Sequence, residues 1–145
     1  MAEEPTDDGL TVLVIEDDFD LRDALVPVLE YEGHRVVSVA NGQEALDRLH
    51  TMGTPPSVIL LDLMMPVMDG EQFRSEQLRD PSLASIPVVV MSAQSRAEER
   101  AAQMGAAGCL VKPIDIDTLL TELRRNGRQR VSTSLRVTPG TTLRR

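Results

Sequence analysis

Five short apolar runs, each followed by a stretch of helical periodicity, constrain the fold of this chain more than any other feature it carries. Residues 10–15 are β-branched and apolar and stop abruptly at Glu16-Asp17-Asp18. A strand buried on both faces reads this way where its C-terminal end opens to solvent. Leu21, Ala24, Leu25, Val28 and Leu29 then recur at helical spacing up to Gly33, and Pro27 inside that pattern predicts a kink or a locally repaired turn. The alternation continues. Residues 35–39 are a second strand, followed by a helix that starts near Asn41-Gly42 and runs through Ala45, Leu46 and Leu49. Residues 58–61 form a third strand ending at Asp62, with a helix over about 70–79 closed by Asp80-Pro81. Residues 86–91 form a fourth ending at Ser92, with a small-residue helix over about 96–104. Residues 109–111 form a fifth ending at Lys112-Pro113, and Ile116, Leu119, Leu120 and Leu123 give the last helix one apolar face.

Five strand-then-helix units predict an α/β protein, a doubly wound five-stranded parallel sheet with helices on both faces and its crevice at the C-terminal ends of the strands. At 145 residues the chain has room for one such domain and none for a second, DNA-reading one. Residues 1–9 read as a flexible acidic leader, 10–126 as the domain, and 127–145 as an Arg-rich flexible tail. The leader lacks the basic and apolar parts of a signal peptide. The longest apolar runs, residues 57–61 and 86–91, fall far short of the ~20 residues a membrane helix needs. One cysteine, Cys109, excludes an internal disulfide and a cysteine-rich zinc site, and aromatics at 2% exclude base-stacking platforms. A soluble cytoplasmic protein without a membrane partner is the expectation. All 23 acidic residues lie at or before Glu122, whereas Arg124, Arg125, Arg128, Arg130, Arg136, Arg144 and Arg145 follow it. That basic end reads as a solvated terminus, and nucleic acid is not an expected partner.

The strand exits carry the chemistry. They present Glu16 and Asp17, then Asp62, then Ser92, then Lys112, along one edge of the expected sheet. Each alone has an ordinary reading: the acidic triplet as a helix cap, Asp62 as a loop residue, Ser92 as an N-cap. Together they do not, because the only lysine of the chain falls on that edge. Carboxylates about 4–6 Å apart repel by about 3–4 kcal/mol per pair at an effective dielectric of about 20. A cation, or protonation of one member, must offset this. Oxygen-only donors with few carboxylates favour Mg²⁺, often alongside phosphate oxygens. Asp62, between Leu61 and Leu63, is the candidate carboxylate nucleophile for a phosphoryl group; Lys112 supplies a compact cation and Ser92 a hydroxyl donor.

These residues resemble the receiver domain of bacterial two-component response regulators. The resemblance rests on residues 12–18 (VLVIEDD), 60–70 (LLDLMMPVMDG), 90–93 (VMSA) and 108–113 (GCLVKP), and spans roughly residues 10–125. It implies a flavodoxin-like sheet of strand order 2-1-3-4-5, phosphorylation of Asp62 by a histidine kinase or phosphotransfer protein, and bound Mg²⁺. Asp17 and Asp62 would ligate the metal directly, Glu16 through water, and the backbone carbonyl of Met64 would complete the protein's share. Ser92 and Lys112 would hold phosphoryl oxygens, and a cis bond before Pro113 would aim Lys112 inward. The chain would be a signalling phosphoacceptor of the stand-alone chemotaxis type rather than an enzyme, assisting its own phosphotransfer and dephosphorylation. It would contact a downstream effector through the face of helix four, strand five and helix five. Ser92 would be one switch residue. Cys109 would be the other switch position, where the family has an aromatic and this chain departs from that pattern with a small side chain. Met64 cannot hydrogen-bond an attacking water, although Gln94 can, so phosphoryl loss is expected to be slower than in relatives with a polar side chain at the Met64 position.

The competing readings are weaker on residues. A pseudo-receiver that docks without phosphorylation would not require every acceptor residue. A flavodoxin-like cofactor binder needs a Gly/Ser/Thr-rich loop after the first strand, where Glu16-Asp17-Asp18 would repel phosphate. A phosphoaspartyl hydrolase would add an Asp where Met64 stands, and an EF-hand would need a Gly turn and a distal Glu.

Overall fold

The computed structural model describes residues 9–136, the stretch 128–136 by its backbone alone. Its elements alternate as β1 (Thr11–Ile15), α1 (Phe19–Tyr31), β2 (Arg35–Val39), α2 (Gly42–Thr51), β3 (Val58–Asp62), α3 (Gly70–Arg79), β4 (Val88–Ser92), α4 (Ala97–Gln103), β5 (Gly108–Val111) and α5 (Ile116–Arg136). The five strands are parallel in the order β2-β1-β3-β4-β5, as the resemblance implied.

Side-chain alternation along each strand divides the core in two. Leu13, Ile15, Ile59, Leu61, Val88 and Val90 pack with Ala45 of α2, Phe73 of α3 and Ala101 of α4. Val12, Val14, Val58, Leu60, Val89 and Met91 pack with Leu25 and Leu29 of α1 and with Leu119, Leu120 and Leu123 of α5. Both faces of β1, β3 and β4 are therefore dry, which is why these strands read as unbroken apolar runs.

Local chemistry sets the element ends. The Asp18 side chain caps α1 by accepting from the Asp20 and Leu21 N–H groups, and Asn41 caps α2 by accepting from Glu44 N–H. Asp69 and Gln72 form a reciprocal capping box at the start of α3. The helix α1 continues through Pro27 to Tyr31 without breaking. β4 begins two residues later than the apolar run does, because the Ile86 N–H is used in a turn to the Leu83 carbonyl and Pro87 has no N–H.

One boundary differs materially. Residues 127–136, read from the sequence as the start of a tail, continue α5. Gly127 lies within van der Waals reach of Leu10, and Asn126 is buried with its amide donating to the Glu122 carbonyl at 2.8 Å. The helix passes Gly127, where a Cβ would collide with the Leu10 side chain, so glycine permits the close approach there. The expected leader, but for Gly9, and residues 137–145 lie outside the described residues.

A buried polar group that sequence periodicity does not reveal ties the helices on one face together. Arg74 of α3 is 8% exposed and donates to the Met104 and Gly105 carbonyls just past α4, both at 3.0 Å, and to Gln77 Oε1 at 2.7 Å. Gln77 in turn donates to the Leu83 and Ile86 carbonyls ahead of β4. The guanidinium occupies the place of a helix C-cap, where a cation is favoured.

The approach of α3 to β3 depends on Gly70. A Cβ there would lie 2.6 Å from the Asp62 carbonyl oxygen and 2.8 Å from the Leu63 Cα, both backbone atoms. Gly70→Ala is expected to destabilise the protein by about 1–3 kcal/mol in urea unfolding. Gly53→Ala, where a Cβ meets nothing within 4 Å, should be neutral or up to about 1 kcal/mol stabilising.

Candidate functional site

Three strands deliver the polar cluster, and the pleat decides which way it points. Glu16, Asp62 and Lys112 follow in phase with Val14, Leu60 and Leu110, whose side chains face α1 and α5. Glu16, Asp17 and Asp62 each place a carboxylate oxygen within 4.8 Å of the others. Glu16 and Asp62 are buried and Asp17 is exposed, so the cluster has a dry floor and an open rim.

The acidic triplet is divided among three tasks. Asp18 is spent on capping α1. Asp17 stands at the rim. Glu16 is fully buried, with Oε2 accepting from the Asp18 N–H at 3.0 Å and Oε1 only 2.9 Å from the Lys112 ammonium. The Lys112 ammonium is thus the partner of this buried oxygen.

Lys112 completes the cluster. Its Nζ lies 3.5 Å from Asp62 Oδ1, and its backbone N–H donates to the Ser92 carbonyl at 2.9 Å, which locks the end of β5 to the end of β4. The Lys112–Pro113 peptide is cis. Burial alone would lower the Lys112 ammonium, but hydrogen bonding to Glu16 and the charges of Asp62 and Glu16 outweigh it and hold it above the ordinary lysine value. Asp62 moves in a way that suggests a task. Burial first, then the charge of Glu16, push its carboxyl up to about 7, against the opposing pull of Lys112. One ammonium does not balance three carboxylates, and the shifted carboxyl records the excess.

Ser92 ends β4 one position past the residue paired with Asp62, and is 1% exposed. Its Oγ accepts from the Gln94 N–H at 3.0 Å, which leaves the hydroxyl proton available for donation. The Met64 N–H donates to Asp62 Oδ1 at 3.3 Å. Val67, on the loop that follows, holds φ 69°, a strained value for a β-branched residue and of the kind found beside functional sites. Cys109 sits three residues before Lys112, partly buried beside the core under α2, α3 and α4; burial, with Glu98 and Glu122, raises its thiol.

The structure brings Glu16, Asp17, Asp62 and Lys112, expected from the sequence, together, with Ser92 at the end of the neighbouring strand. Sequence reasoning missed Glu71 and Arg100, which meet across α3 and α4 at 2.6 Å and hold Gln94 from behind. No short-range signal marks them, since they lie 29 residues apart.

Known proteins resemble this chain over most of its length. The family model for the response regulator receiver domain matches residues 12–124. Response regulator MprA of Mycolicibacterium vanbaalenii is 34% identical over 115 residues, covering 78% of this chain and 48% of that protein. A putative two-component response regulator of Arabidopsis thaliana is 30% identical, covering 86% of this chain and 21% of that protein. The chain thus spans about half or less of the length of these curated relatives. Among solved structures, the receiver domain of the Francisella response regulator 1452 superposes with a TM-score of 0.74 at 28% identity, covering 83% of this chain and 98% of that one. A chemotaxis response regulator of Vibrio cholerae gives 0.72 at 30% identity, with coverage of 79% and 96%. Among the described residues, no helix is long and apolar enough to cross a membrane.

The raised Asp62 carboxyl has a consequence for stability. A group whose folded pKa stands at about 7, above an ordinary 3.8, gives the native state a proton that the unfolded chain lacks between those values. Its favourable contribution is complete at low pH and lost as pH rises through about 7. With divalent cations chelated, Asp62→Asn should therefore exceed the parent in stability by a margin that grows from pH 4 to pH 7, reaching about 1–3 kcal/mol. Urea midpoints across that range measure it.

Proposed function

The chain belongs to the response regulator receiver domain family of two-component systems, and we propose that it accepts a phosphoryl group on Asp62 from a histidine kinase or phosphotransfer protein. The supporting observation is the buried Asp62 carboxylate set 3.5 Å from a lysine ammonium and beside two further carboxylates. A solvated acidic patch would not draw the chain's only lysine into it.

In the transfer, an Asp62 oxygen bonds to phosphorus while the bond from phosphorus to the donor breaks and its electron pair leaves with the donor. Lys112 neutralises charge on the equatorial oxygens, and the Ser92 hydroxyl donates to one of them. The residues fit Mg²⁺: all donors are oxygens, and three carboxylates each bring one within 4.8 Å of the others. Asp17 and Asp62 would hold the ion directly, Glu16 through water, and the Met64 carbonyl would add a further oxygen. Bound there, it would supply charge neutralisation for the incoming phosphate.

The protein is in this reading a cytoplasmic signalling phosphoacceptor rather than an enzyme with a released product. Its output is altered protein contact. Drawing Ser92 toward a phosphorylated Asp62 would move the loop after β4, and the face of α4, β5 and α5 would present the change to an effector protein. β5 is an edge strand, and Val111 on it is 53% exposed. Cys109 occupies the position of the family's switching aromatic, so here the hydroxyl half of the relay carries the signal.

Acetyl phosphate with Mg²⁺ should add the mass of one phosphoryl group to the intact protein. The gain should be absent in Asp62→Asn and lost when Mg²⁺ is chelated; an unmodified parent mass under these conditions would show a docking module instead. Met64→Asn, which supplies a side chain able to bind the attacking water, should shorten the phosphoryl half-life by about 3-fold or more. Decay of the phosphorylated mass with time checks this.

A further inference from the structure

The two loops that flank Asp62 meet through side chains. Met64, two residues beyond Asp62, and Gln94, two residues beyond Ser92, are in contact, with the Gln94 amide nitrogen 3.1 Å from the Met64 sulfur. Since β3 and β4 are neighbours in the sheet, this contact spans the mouth between their exits. What holds it there lies on two helices. Arg100 of α4 donates from Nη1 to Gln94 Oε1 at 2.6 Å, and from Nε and Nη2 to Glu71 Oε2 of α3 at 2.9 and 2.6 Å.

The chemistry of the arginine fixes which way the amide faces. A guanidinium has donors only, so the Gln94 oxygen must turn to it and the NH₂ must turn to Met64. The arginine is itself anchored. Glu71 binds it with a charge-assisted pair, and Arg74 pins the far end of α4 through the Met104 and Gly105 carbonyls. Next to Asp62, then, the mouth presents a thioether and an amide NH₂, while the carboxamide oxygen is directed elsewhere.

Resting on the proposed phosphorylation of Asp62, we infer that Arg100, held by Glu71, is a positioning residue that keeps the Gln94 oxygen away from the phosphoryl group and so prolongs the life of the phosphorylated state. Loss of the phosphoryl group requires a water oxygen to bond to phosphorus as the bond to Asp62 breaks. The electron pair returns to the carboxylate, and the water's proton leaves with the phosphate or solvent. An amide oxygen free to accept a hydrogen bond from that water would align it. Arg100 denies the water this acceptor. The signal's duration is thereby set by an ion pair between α3 and α4 rather than by the acceptor pocket alone.

The test is a cycle of variants on the rate of phosphoryl loss, followed by intact mass after removal of acetyl phosphate in Mg²⁺ buffer. Arg100→Ala is expected to speed decay by about 3- to 10-fold, and Glu71→Ala to speed it in the same direction by less. In a Gln94→Ala background, Arg100→Ala should have no further effect. A rate unchanged by Arg100→Ala overturns the inference. So does an equal acceleration with and without Gln94, which would mean that Arg100 acts through the packing of α4. Failure of the parent chain to take up phosphate overturns the proposed function and this inference together, whereas uptake with decay indifferent to Arg100 overturns this one alone.

Discussion

A carboxylate held out of water beside two others and one ammonium is the constraint around which this structure is organised. Asp62 cannot ionise there without cost, because burial and Glu16 oppose it more than Lys112 favours it. A further positive neighbour or a retained proton would relieve that cost. In the proposed phosphoryl transfer, an accompanying cation would offset that same imbalance.

The scaffold tolerates such a cluster because its interior is otherwise dry and divided. Two apolar layers flank the sheet, and the strands that carry Glu16 and Asp62 are buried on both faces almost to their last residue. Rigid strand ends position Glu16, Asp62, Ser92 and Lys112 more precisely than loops could. The loops that follow carry the adjustable parts. Val67 sits in a strained turn, Gly70 lets α3 close over the Asp62 backbone, and Gln94 reaches back across the mouth.

On the other side of the sheet, polar groups perform a different job. Arg74 and Gln77 are buried with every partner a backbone carbonyl or each other, and they bind α3 to the end of α4 and to the approach of β4. The Glu71–Arg100 pair adds a second tie between α3 and the middle of α4.

The amino-acid order by itself determined the parallel α/β class, because a strand buried on both faces must be apolar at consecutive positions and a covering helix only every third or fourth. It also placed Glu16, Asp62, Ser92 and Lys112, each directly after an apolar run, and Asp17 one residue on, at strand exits. Three-dimensional packing decided what local pattern cannot encode. The chain continued α5 past Gly127, and sheet register brought one phase of the pleat together so that Lys112 reached both Glu16 and Asp62. The assignment of Asp18 to a cap and Asp17 to the rim, and the pairing of Glu71 with Arg100, likewise depend on distances between residues that no periodicity links. Short-range sequence records which face a residue takes; only the folded chain sets which faces meet.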